Sequence, residues 1–208
     1  MVVVKSLGSD EVAQPTATGA ASVPSPIVYV SFSAEIKAET TEALINVLSN
    51  CANQKVREVY LLISTPGGNV MNGMNLYNVM RAMPFELTTH NVGNVDSIGN
   101  AIFLAGKRRF ACEHSTFMFH GVGFDAVPGT RLEEKMLSET LANVRIEHAR
   151  IGAVITERTK LSNEQVSAFF REAQTKDAKF AQSVGIIDAI KDVSIPAGVP
   201  IVPLVFKR

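Results

Sequence analysis

Between Glu58 and Gly68 the chain reads Glu-Val-Tyr-Leu-Leu-Ile, with no charged side chain from Val59 to Ile63, and then turns at Ser64-Thr65-Pro66-Gly67-Gly68. A strand so continuously apolar is covered on both faces, the condition of a parallel sheet packed against helices. The flanking stretches agree. From Glu39 to Ala52, Leu44, Val47, Leu48 and Cys51 fall at i, i+3, i+4 and i+7 and form one helical stripe. Gly73, Leu76, Tyr77 and Met80 form the next stripe. Strands at Ile27 to Phe32 and Glu86 to Val92 complete the alternation, which defines an α/β fold.

After Glu86 to Val92 the chain turns into a helix with Ser97 at the corner, inside His90-Asn91-Val92-Gly93-Asn94-Val95-Asp96-Ser97-Ile98-Gly99. Two short strands follow, Arg109 to Cys112 and Thr116 to His120, as extensions of the same sheet, and then a glycine-rich loop from Gly121 to Gly129. Thr130 to Thr159 has the pattern of a helix of about 30 residues, against an average of about 12. Its stripe is Leu137, Leu141, Val144, His148, Ile151 and Ile155, with charged residues on the other faces. Little chain remains to cover it, so contact with another subunit is expected. Ser162 and Gln165 form a capping box for a short helix to about Phe170, Ala178 to Val184 is another helix, and Ile186 to Ile190 a late strand. The tail from Val199 to Phe206 is mostly apolar, broken by Pro200 and Pro203.

With 208 residues, 46% of them hydrophobic, one sizeable core can be buried. Residues 1–25 are expected to be a flexible N-terminal arm, rich in Ser, Ala, Thr, Gly and Pro from position 8, and 26–208 a single domain. Lys plus Arg equals Asp plus Glu at 20 each, so nothing points to nucleic acid or an acidic membrane as partner. No apolar run could form a signal-peptide core or span a bilayer. Cys51 and Cys112 sit in apolar patterns without metal-ligand spacing and are read as reduced, which favours a cytosol-like, cytoplasmic compartment. No phosphate loop, dinucleotide fingerprint or metal cluster is visible, and no cofactor is expected.

A serine hydroxyl needs a base within hydrogen-bond reach and donors for a developing oxyanion before it can hydrolyse an acyl bond. Ser97 has the amide of Ile98 next to it and a helix N-terminus behind it. Gly68 can bring a second N–H close because it has no Cβ. His120 ends a strand and opens a glycine loop. Each signal also has a plain structural meaning. Asp96-Ser97 before an apolar helix is more often a cap, Pro66-Gly67-Gly68 is an ordinary turn, and His120 can be a bonded core residue. His148 is read as a helix-interface residue, His90 and His114 as surface or structural ones. Val95 stands where a Gly-x-Ser-x-Gly elbow has its first glycine.

Taken together and in order, these pieces resemble the proteolytic subunit of the Clp protease, a serine peptidase of crotonase-like fold, over residues 26 to about 191. Ser64-Thr65-Pro66-Gly67-Gly68-Asn69-Val70 is similar to the family's Asn-Ser-Pro-Gly-Gly-x-Val, and Gly73-Met74-Asn75-Leu76-Tyr77 to its Gly-Met-Ala-Ile-Tyr. Gly93 to Gly99 resembles Gly-x-Ala-Ala-Ser-Met-Gly, Ala105 to Phe110 resembles Ala-Gly-x-Lys-x-Arg-x, and Phe117-Met118-Phe119-His120 resembles Val-Met-Ile-His. The resemblance implies a repeated ββα superhelix with a protruding handle helix at about 131–158, through which rings stack. It also implies Ser97 as nucleophile, His120 as general base and the amides of Gly68 and Ile98 as oxyanion hole. An ATP-driven unfoldase partner and peptide or unfolded-protein substrates are implied by family alone.

The third catalytic member does not carry over. The counted position is Ala173; Glu172 beside it is the chosen candidate, and Asp177 falls where the family has a helix-capping Ser or Thr. Asp96 and Asn100 replace small residues around the serine. Asp96 could raise the pKa of His120 or compete for its hydrogen bond. Gly121-Val122 stands where Gln-Pro follows the family's histidine. Two other readings stay open: a catalytically impaired structural ring subunit, favoured by Ala173, and a crotonase-type acyl-CoA hydratase or isomerase, for which no pair of catalytic carboxylates is visible.

Overall fold

A computed structural model describes residues 27–206, so the N-terminal arm lies outside the described residues. Strands β1 (Ile27–Ser33), β2 (Glu58–Thr65) and β3 (Glu86–Asp96) are parallel neighbours, with Ile27 level with Glu58 and Glu58 level with Glu86. Helices α1 (Ala38–Asn53) and α2 (Val70–Ala82) are the crossovers. The expected stripe of α1 is buried at Leu44, Leu48 and Cys51, and that of α2 at Gly73, Leu76 and Met80. In β2, Val59, Tyr60, Leu61 and Ile63 are buried, as a strand covered on both faces requires.

The remaining elements are α3 (Gly99–Phe103), β4 (Arg108–Ala111), β5 (Thr116–Phe119), α4 (Glu134–Arg158), α5 (Asn163–Glu172), β6 (Gln174–Asp177), α6 (Ala178–Ser183), β7 (Ala189–Ile190) and β8 (Ile201–Leu204). The sheet runs β6-β5-β3-β2-β1-β8 and forks at β3. The first half of β3 pairs with β4, from Thr88 level with Arg108 to Asn91 level with Ala111. Its last residues pair with β5, from Asn94 level with Thr116 to Asp96 level with Met118. Asn91 stands at the fork, fully buried, and bonds both arms. Its Nδ2 donates to Thr116 O at 2.8 Å, its Oδ1 accepts from Gly93 N, and its carbonyl accepts from Cys112 N.

Helix α4 is long, but its stripe divides. Ile151, Val154 and Ile155 are buried within the subunit, where Arg158 donates to the carbonyls of Leu104 and Gly106. Leu137 and Leu141 are exposed, at 45% and 50%. The expectation that the whole stripe serves another subunit therefore holds for no part beyond Val144, because α3 and α5 cover the rest. The expected late strand shortens to Ala189–Ile190, since Ile186 and Ile187 are buried in the turn that follows α6. Two strands were not expected, β6 because it is polar and β8 because Pro203 interrupts it. In β6 the sequence Gln-Thr-Lys-Asp pairs antiparallel with β5, and β8 pairs parallel with β1 despite Pro203. Both lie at the sheet's edges, where a polar strand or a missing N–H is tolerated.

Candidate active site

Strand β3 extends through Asp96, so Ser97 is the first residue beyond it. Its φ is 55°, the left-handed region, where a side chain costs about 1 kcal/mol or more. Three bonds hold it there. Ser97 N donates to Met118 O on β5 at 2.8 Å, and the buried Asn100 donates from Nδ2 to Ser97 O and to Met118 O, at 3.0 and 2.8 Å. Asn100, unexpected from the family's pattern, thus pins the corner to the neighbouring strand.

The cap reading of Ser97 does not hold. Helix α3 begins at Gly99, Ile98 takes the cap position, and no side chain caps it. With five residues, α3 also has little macrodipole, so the dipole expected behind Ser97 is weak and any anion stabilisation falls to individual N–H groups. Ile98 is buried, its side chain seated over Gly73, where a Cβ would stand 2.3 Å from Ile98 Cγ1.

Gly67 and Gly68, with φ of 86° and 142°, bring the preceding turn against this corner. A Cβ on Gly67 would lie 2.7 Å from both Asp96 O and Ser97 Cβ, and one on Gly68 2.3 Å from Ile36 O. Ile36 straps the turn: its N donates to Gly67 O and its carbonyl accepts from Asn69 N. Among the described residues the amides of Gly68 and Ile98 have no acceptor, so two backbone donors remain free beside Ser97.

His120 follows β5 as Ser97 follows β3, and Asp96 is level with Met118, so both residues leave the same end of adjacent parallel strands. The Ser97 hydroxyl and the imidazole are not hydrogen-bonded here. His120 Nδ1 instead lies 2.7 Å from Gly121 O. A carbonyl can only accept, so Nδ1 carries a proton, and in the neutral ring Nε2 then has the lone pair that a general base requires.

Asp96 does not compete for His120. Its Oδ2 accepts from Asn94 Nδ2 at 2.5 Å, and Asn94 Oδ1 accepts from Ser64 Oγ at 2.9 Å. The antiparallel register sets Phe119 level with Gln174, and one further step brings Ala173 opposite His120. Ala173 is the left-handed C-cap of α5, φ 51°. Glu172 is exposed and accepts from Gln174 Nε2, making no bond to His120; Asp177 caps α6, its Oδ1 accepting from Phe180 N at 2.7 Å. Sequence reasoning missed Asn100 as a clamp, and it missed His148, whose Nε2 accepts from Val122 N at 2.7 Å. Among the described residues no cluster of His, Cys, Asp and Glu could hold a metal ion.

A strained serine at a strand end, a histidine just beyond the adjacent strand and two free amides beside the serine are the groups from which a serine-hydrolase type of site could be built on this crotonase-like α/β fold. The Clp protease family description matches residues 27–194, and the chain belongs to that family. The activity class that goes with this membership is peptide hydrolysis through a serine nucleophile. Similar relatives include ATP-dependent Clp protease proteolytic subunit 2 of Corynebacterium diphtheriae, 30% identical over 150 residues, 69% of this chain and 71% of the relative. The ATP-dependent Clp protease proteolytic subunit of Chlorella vulgaris is 29% identical over 160 residues, 75% and 77% of the two chains. A solved ClpP1 point mutant from Listeria monocytogenes superimposes with a TM-score of 0.71 at 21% identity, covering 79% of this chain and 91% of that one, a likeness of fold.

Proposed function

We propose that the chain is the proteolytic subunit of a ring-shaped, Clp-type serine peptidase, with Ser97 as nucleophile, His120 as general base and the amides of Gly68 and Ile98 as oxyanion hole. The observation that supports this reading is the placement of Ser97, at its left-handed strand end beside two unpartnered amides, with His120 leaving the same end of the adjacent parallel strand. Ser97 Oγ attacks the scissile carbonyl carbon as its proton passes to His120 Nε2, and the oxyanion is held by the two N–H groups. His120 then gives that proton to the leaving amine. Water repeats the sequence on the acyl-enzyme and releases the second product. The hydroxyl–imidazole bond forms only when the imidazole turns toward Ser97, a tightening common when such sites take up substrate. Glu172 keeps a place in this proposal only as an acid that must first release Gln174.

The exposed half of α4 supports self-association. Leu137, Leu141 and Val144 line an apolar cleft of about 480 Å³ with Val122, Gly123 and Phe124, a surface suited to the stacked rings of the family. The two free cysteines suit a reducing, cytoplasmic location, and the ATP-driven unfoldase implied by the family resemblance is the proposed partner. A fluorophosphonate probe tests the central claim. Wild type is labelled and Ser97→Ala is not; intact wild-type assemblies that take no label would refute it. A second reading, a ring subunit without catalysis, is favoured by Ala173 opposite His120, and the same absence of label would establish it.

A further inference from the structure

Directly after His120, one peptide group is held from both sides. Its carbonyl, Gly121 O, receives the Nδ1–H of His120 at 2.7 Å. Its amide, Val122 N–H, donates to Nε2 of His148 at 2.7 Å. The preceding amide is fixed as well, Gly121 N donating to Phe170 O at 2.9 Å, while the Phe170 ring packs on the His148 imidazole with centroids 5.2 Å apart. We infer that His148, reaching in from α4, is a positioning residue for His120, acting through the Gly121–Val122 peptide in the role that a triad gives to its acid.

The chemistry of the three groups is consistent along the chain of bonds. Accepting from Val122 requires that His148 Nε2 be unprotonated, with its own proton on Nδ1. An amide that donates to a good acceptor carries more negative charge on its carbonyl, so the His148 bond strengthens Gly121 O as an acceptor for His120. When His120 takes the serine's proton, the same carbonyl faces the positive imidazolium. The local sequence fits this use. A Cβ on residue 121 would stand 2.9 Å from His148 Nε2 and 3.1 Å from Phe170 O, so a glycine is needed for the imidazole to approach. Residue 122 must have an N–H, which valine has and proline lacks. Among the described residues no carboxylate is bonded to His120, and the register places Ala173 opposite it.

Protonation of His148 removes the acceptor and breaks the relay. Burial lowers the pKa of His148 from its ordinary value, so it is neutral at pH 7. The groups against it are the uncharged Phe170 ring of α5 and the 121–122 peptide, which leads to His120. On α4, Glu147 and Arg150 pair with each other at 2.8 Å, and Arg171, next to Phe170, is exposed.

The inference rests on the peptidase reading, and its test separates the two. Full-length wild type, His148→Gln and His148→Leu are compared; glutamine keeps a side-chain acceptor that does not titrate, and leucine keeps none. Turnover of a short fluorogenic peptide is expected to fall about 10- to 100-fold in kcat, with little change in KM, for leucine, and to recover for glutamine. The acid limb of the rate profile is expected to be steeper in wild type than in His148→Gln, which lacks the titrating acceptor at position 148. Imidazole 15N NMR on labelled protein reads the relay without turnover: His120 is held as the Nδ1–H tautomer in wild type and the glutamine variant, and becomes a tautomer mixture with leucine. Unchanged kcat in His148→Leu, or the same His120 tautomer in all three, overturns the inference. If wild type takes no fluorophosphonate label, the peptidase reading fails, and the tautomer comparison still decides the relay.

Discussion

Three described residues other than glycine have left-handed backbone: Lys55 in the turn after α1, and Ser97 and Ala173, which flank the candidate site. Strain of this kind persists only where the surroundings enforce it, and Asn100, Met118 and the close face of Gly67 do so at Ser97. Ser97→Gly removes the strain along with the hydroxyl, whereas Ser97→Ala removes the hydroxyl alone. Denaturant unfolding at equal protein concentration should therefore find the glycine variant more stable than the alanine variant by about 1 kcal/mol, with neither labelled by a fluorophosphonate. Equal stability would mean that the corner relaxes and that its conformation does not depend on Asn100. The sequence made Ser97, His120, Gly68 and Ile98 legible because each sits where a strand or turn ends, and ends carry local signals. Nothing local marks His148 as the partner of Val122. The two are 26 positions apart, and only the packing of α4 over the loop joins them.

Among the elements, α4 changes character along its length, and the burial of its residues decides which substitutions test assembly. Leu137 and Leu141 face the cleft formed with Val122 and Phe124, while Ile151, 5% exposed, is covered within the subunit. A carboxylate at Ile151 would be buried without a partner and would unfold the chain, so loss of assembly there would say nothing about the interface. Leu137→Glu combined with Leu141→Glu leaves the core intact. Sedimentation should show stacked assemblies breaking into smaller species, with helix content unchanged by circular dichroism; wild-type sedimentation would refute self-association through this half of α4. The length of α4 and its apolar stripe were readable from periodicity, but its division was not, because periodicity does not say that the chain folds back through α5 and that α3, distant in sequence, packs on the same half. Strands β6 and β8 were unreadable for other reasons: β6 is a polar edge strand held by backbone pairing, and β8, though apolar, carries Pro203, which an edge tolerates.

Across the whole molecule, the C-terminal segment is tied to the sheet through a buried polar column. Tyr29 donates to Ser194 O at 3.1 Å and stacks on Tyr60, Tyr60 OH lies 2.8 Å from His90 Nδ1, and His90 Nε2 lies 3.0 Å from Lys191 O. The Lys191 carbonyl can only accept, so His90 carries its proton on Nε2 and Nδ1 accepts from Tyr60, whose phenol burial pushes upward in pKa and keeps as a donor. His90 is fully buried, and that burial lowers its pKa below the ordinary 6.5. The folded state thus resists a proton that the unfolded chain takes up as pH falls below 6.5, so folding stability declines from there until the folded-state pKa is passed, and is at its full value above 6.5. His148, lowered by the same cause, adds to the decline with the same sign. Replacing His90 with glutamine keeps one acceptor and one donor in the column and removes the titration. Unfolding free energies measured between pH 7.5 and 5, values spanning the ordinary histidine pKa of about 6.5, should fall less in His90→Gln than in wild type. Equal slopes would show that His90 charges within the fold, which would turn Nδ1 from acceptor to donor toward the Tyr60 hydroxyl while Nε2 kept its bond to the Lys191 carbonyl.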